Sequence, residues 1–97
     1  MALTPEQKKA KKIASKEKQI EKATIFLGKF STKSDAKSAL RITYMTALSV
    51  ETDNTKKIKL QAKITKAGEM IDKYEAAKVR YQYKINVLTE ELRILKL

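Results

Sequence analysis

Apolar residues recur at alternating steps of three and four along the last 43 positions, 55–97. With Lys57 at an a position, the a and d sites are Lys57, Leu60, Ile64, Ala67, Ile71, Tyr74, Lys78, Tyr81, Ile85, Leu88, Leu92 and Leu95. Ten of these twelve are apolar or aromatic. A repeat of 3.5 residues kept for this long predicts one helix, about 60 Å in length, carrying a seam for a partner helix. No Pro interrupts it, and Gly68 is its only weak point.

Upstream the pattern predicts two shorter helices. Thr4 is suited to an N-cap, Pro5 to the first helical position and Gln7 to the third residue after the cap, which completes a capping box. The first helix is expected over 5–27, with Ala10, Ile13, Ile20, Ala23 and Leu27 on its apolar side. Gly28 then reads as a helix terminator, and the run Ser31-Thr32-Lys33-Ser34 as a connector. Ser34 is placed to cap a second helix over 35–51, with Ala36, Ala39, Leu40, Tyr44, Ala47 and Leu48 along one side. The stretch 52–55 ends it, and Asn54 or Thr55 is expected to cap the third helix, over 55–96.

These elements predict a single all-α domain over 1–97. Two shorter helices pack antiparallel on one long C-terminal coiled-coil-like helix, as a helical hairpin or three-helix bundle. The first helix has two ways to pack: folded back beside the second, or carried on in line against 76–97. Summed helix lengths favour the latter. The C-terminal third shows apolar groups on two faces, and the lysine-rich first helix offers them little cover. Ile85, Leu88, Leu92, Ile94 and Leu95 are therefore expected to form an interface in a homo-oligomer or a larger protein assembly.

Charge changes the picture most. Lys and Arg number 22 against 11 Asp and Glu, a net charge of +11 on 97 residues. That imbalance points to an anionic partner. It is concentrated at the two ends: residues 1–33 carry nine basic and three acidic side chains, and residues 55–97 carry eleven and five. The lysines Lys8, Lys9, Lys11, Lys12 and Lys16 spread around the start of the first helix. A second set, Lys56, Lys59, Lys63, Lys66 and Lys73, forms a stripe at helical spacing beside the seam. Both sets are candidate contacts to nucleic acid. Lys outnumbers Arg nineteen to three. Such a surface neutralises phosphates as point charges, without the bidentate base reading that Arg provides. Sequence-nonspecific contact is the expectation.

Candidate chemistry is sparse. Without Cys or His the chain lacks the usual nucleophile and the usual base for neutral pH, so no enzyme is expected. Neither a cofactor nor a metal site is expected. Glu69, Asp72 and Glu75 recur at three-residue steps, but Lys66 and Lys73 flank them, and surface ion pairing accounts for the spacing. Tyr74 and Tyr81 fall on d sites and read as core, whereas Tyr83 lies off the seam. No apolar run approaches the length that spans a bilayer, the N-terminus lacks the apolar core of a secretory signal, and a membrane partner is not expected. The implied location is intracellular or virion-associated. Two functional readings follow: an oligomeric basic helical protein that contacts nucleic acid through lysines, or a coiled-coil assembly subunit of a virion, filament or multiprotein machine that does not.

Overall fold

The computed structural model describes residues 2–97. It contains two helices, α1 over Pro5–Val50 and α2 over Asn54–Leu95, and no strand among the described residues. The capping box at the start of α1 forms as the sequence predicts. The Gln7 amide donates to Thr4 Oγ1 at 3.2 Å, and the Thr4 amide donates to Gln7 Oε1 at 3.0 Å. At the other end of the connection the cap is Asp53, in place of the expected Asn54 or Thr55. Its carboxylate accepts the Lys56 amide at 3.1 Å, while Glu51 Oε1 accepts the Thr52 and Asp53 amides, each at 3.1 Å.

The expectation of three helices is corrected to two. No helix ends at Gly28 or restarts at Ser34, and neither glycine takes a positive φ. The reason is visible in the spacing of covered positions. Ile13, Lys16, Ile20, Ala23, Leu27, Phe30, Ser34, Lys37, Tyr44, Leu48 and Glu51 are all buried or half-buried. They keep one three-four repeat through the polar run, with only Arg41 exposed at its place in the series. A break near residue 31 would rotate Phe30 and Ser34 out of this seam. Continuing the helix through Gly28 costs about 1 kcal/mol relative to Ala, less than losing that packing.

On α2 all twelve a and d positions counted from Lys57 are buried or half-buried, so the 3.5-residue periodicity is realised over the whole helix. The chain gathers into two compact units, one combining the segment up to Gly28 with Val79–Leu97 and the other spanning Lys29–Lys78. Within the second unit α1 and α2 form a helical hairpin around the 51–53 turn. Phe30 lies against Tyr74 with ring centroids 6.1 Å apart, and Ser34 donates to Glu75 Oε1 at 2.6 Å. Within the first unit the helix segments also run antiparallel. Phe26 stacks on Tyr81 at 5.5 Å and 17°, and Lys16 pairs with Glu91.

The fully buried side chains are small. Among the described residues Ala23, Ala67, Ala77 and Ser34 are buried, and Leu88 is the one large apolar residue that joins them. Small residues at the contact allow two helix backbones to approach closely. They bury little apolar area in doing so.

Candidate functional site

The two sets of lysines expected to meet an anion occupy different units. Lys8, Lys9, Lys11 and Lys12 are exposed on the first three turns of α1, where no residue from 2 to 12 is covered. Lys16 is half-buried at a seam position and is held by Glu91. Lys56, Lys59, Lys63, Lys66 and Lys73 are exposed along α2 in the other unit. Helix periodicity places them beside the seam because the seam itself is filled by Leu60, Ile64, Ala67 and Ile71.

Few carboxylates reach these lysines. Among the described residues the ion pairs are Lys16–Glu91, Lys78–Glu75 at 3.3 Å and Arg93–Glu90 at 2.6 Å. Nine of the ten candidate lysines therefore have no carboxylate partner. Ser34 and Lys78 both bond the Glu75 carboxylate, and the Ser34 hydroxyl is the larger reason its pKa falls below the ordinary value of 4.5. The Arg93 guanidinium similarly holds Glu90 below that value. The acidic series Glu69, Asp72, Glu75 is thus partly committed to structural contacts.

One cationic residue escaped the sequence reading. Lys37 lies at a seam position of α1, half-buried, and reaches the same open cleft as Lys63 and Lys66. The cleft holds about 250 Å³ and is also lined by Leu40, Tyr44, Ala67 and Met70. The Lys63 ammonium sits 5.5 Å from the centre of the Tyr44 ring, within cation–π range. Sequence alone places Lys37 among the apolar residues of a buried helix, with nothing to mark it. The signal was there in the three-four series that puts Lys37 on the seam, where it shares the cleft with Ala67, a residue too small to cover a lysine stem.

The residues expected to join copies are divided by the fold. Ile85, Leu88, Leu92 and Leu95 lie on the seam, Leu88 buried and the others half-buried, while Ile94 points outward and is 56% exposed. Ile94 belongs to a second stripe on the side of α2 away from the seam, made of Val79, Tyr83, Val87 and Ile94, with Leu97 just past the end of the helix. The four helical residues are separated by steps of 4, 4 and 7, which keeps them within about 80° of one another around the helix. Tyr83 and Leu97 are 71% and 84% exposed. Neither helix is long and apolar enough to cross a membrane among the described residues.

No family model matches the chain, and no curated protein and no solved structure matches it.

Proposed function

We infer that this chain is a non-enzymatic structural protein that self-associates and contacts nucleic acid without sequence preference. The observation that carries the reading is the set of nine exposed lysines without a carboxylate partner, on a chain of net charge +11. Cations kept for solubility alone would gain from pairing with carboxylates along their own helices. Here the lysine-rich segments contain few acids, and an external polyanion is the natural counterion.

The self-association half rests on the outer stripe of α2, and its occupant is a second copy of this chain. The stripe is nearly palindromic about residue 88. In an antiparallel pair Val79 meets Leu97 of the other copy, and Tyr83 meets Ile94. An isologous contact of that kind closes on itself as a twofold dimer. Position on the helix, more than the count of apolar residues, favours this face, since most seam residues are already covered within one protomer.

The purely structural alternative, a coiled-coil subunit without nucleic-acid contact, is favoured by the same stripe but leaves the unpaired lysines without a role. A gel-shift titration with random duplex DNA across salt concentrations separates the two. Neutralisation of about five phosphates gives a log–log slope of roughly −4 to −5. Absence of binding at low salt, in a protein that still self-associates by light scattering, would leave the structural alternative standing.

A further inference from the structure

We propose that the cleft formed by Lys37, Lys63 and Lys66 is a seat for one nucleotide of a single-stranded nucleic acid, its phosphate on the lysines and its base on the apolar floor. The inference rests on the nucleic-acid reading above and adds to it a defined site and a ligand class. Three amines from two helices border one cleft of about 250 Å³, and no carboxylate lines it. None of the three has an ion-pair partner among the described residues. Assembling three like charges in this way is unfavourable until an anion arrives, which is what distinguishes a binding site from a solvated face.

The floor decides what the anion must be attached to. Leu40 is 40% exposed, Met70 is half-buried, and both lie beside the ammonium groups. A bare phosphate leaves that apolar surface wet, whereas a nucleotide covers it with a flat ring. Tyr44 is not the stacking platform, because Lys63 already lies over its ring. The ring instead holds the Lys63 ammonium at the cleft edge. Bases of a duplex are stacked inside the helix and cannot reach the floor, so occupancy requires an unpaired strand.

The test is a titration of the full chain, methyl-labelled at Leu and Met, with the single strand (dT)8, an eight-base-pair duplex and tripolyphosphate. The expected result is that (dT)8 moves the Leu40 and Met70 methyl resonances to saturation, while duplex and tripolyphosphate do not. K37Q/K66Q should abolish those shifts and make the log–log salt slope for (dT)8 shallower by about 1.4, two contacts at roughly 0.7 each on single strands. K8Q/K11Q should weaken binding yet keep the Met70 shift, and circular dichroism establishes that each variant is folded. Silent Leu40 and Met70 methyls during tight (dT)8 binding, or a K37Q/K66Q variant that still shows the shifts, overturn the nucleotide seat alone. Failure of both single strand and duplex to bind at low salt overturns the nucleic-acid reading with it.

Discussion

Ser34 shows how one side chain changes the meaning of its neighbourhood. In the sequence it stands among Ser31, Thr32 and Lys33 and resembles the start of a helix. In the fold it is 2% exposed, and its hydroxyl donates to the Glu75 carboxylate. A hydroxyl buried against a small set of neighbours needs that acceptor. The same bond, with Lys78, depresses the Glu75 pKa. A carboxylate with a depressed folded-state pKa contributes stability above its unfolded pKa, and the contribution is lost as pH falls through the folded value. The Glu75-linked part of stability is therefore present at neutral pH and disappears in acid, below pH 4.5. Ser34→Ala should raise the Glu75 titration midpoint toward that ordinary value, as followed by carboxyl NMR. An unchanged midpoint would mean that the hydroxyl does not control this group.

The long heptad of α2 was legible because, from Leu60 to Leu95, every seam site but Lys78 is apolar or aromatic, and each of its twelve predicted seam sites is covered. That of α1 was not, because Lys16, Ser34, Lys37, Arg41 and Glu51 occupy seam positions and hide a phase that never breaks. Local turn signals at Gly28 and 31–34 then outweighed a long-range spacing that only packing against α2 reveals. The cleft lysine Lys37 was concealed for the same reason, whereas the exposed lysines of α2 could be read directly from their helical spacing. This account of α1 makes two opposite predictions. A methyl added at Gly28 meets no atom within 4 Å, so Gly28→Ala should stabilise the helix by about 1 kcal/mol. Deleting Thr32 turns every upstream residue by about 100° relative to the seam, and should destabilise the protein by at least roughly 2 kcal/mol. Thermal melts followed by circular dichroism measure both. Destabilisation by Gly28→Ala would show that the bare backbone there serves a close approach, and tolerance of the deletion would contradict a single phase.

At the scale of the whole molecule, charge and apolar surface pull in opposite directions. Among the described residues thirteen large apolar side chains are exposed, against four buried apolar residues of which three are alanines. Two copies meeting through the outer stripe of α2 each carry +11. Repulsion between them weakens as salt shortens the screening length from roughly 14 Å at 50 mM to about 6 Å at 300 mM. Salt should therefore strengthen self-association while it releases nucleic acid. Analytical ultracentrifugation and the gel shift, run over the same salt series, should show opposite trends. Y83E/I94E should remove the first trend and leave the second. Association that weakens with salt, or that survives this double substitution, would place the contact on another face.

The turn at 51–53 sets the order in which the chain must find its partners. Tyr44 and Lys63 meet across only nineteen positions, Ser34 and Glu75 across 41, and Lys16 and Glu91 across 75. Joining the last pair without the others costs about 1.2 kcal/mol more in loop entropy than joining the first. During synthesis on the ribosome, moreover, the segment up to Gly28 emerges before Val79–Leu97, with which it forms one unit. Folding should zip outward from the turn, with amides of the 29–78 unit gaining exchange protection before those at the termini. Until residues 79–97 are made, the greasy side of the newborn segment up to Gly28 lacks the stretch that packs against it in the folded chain.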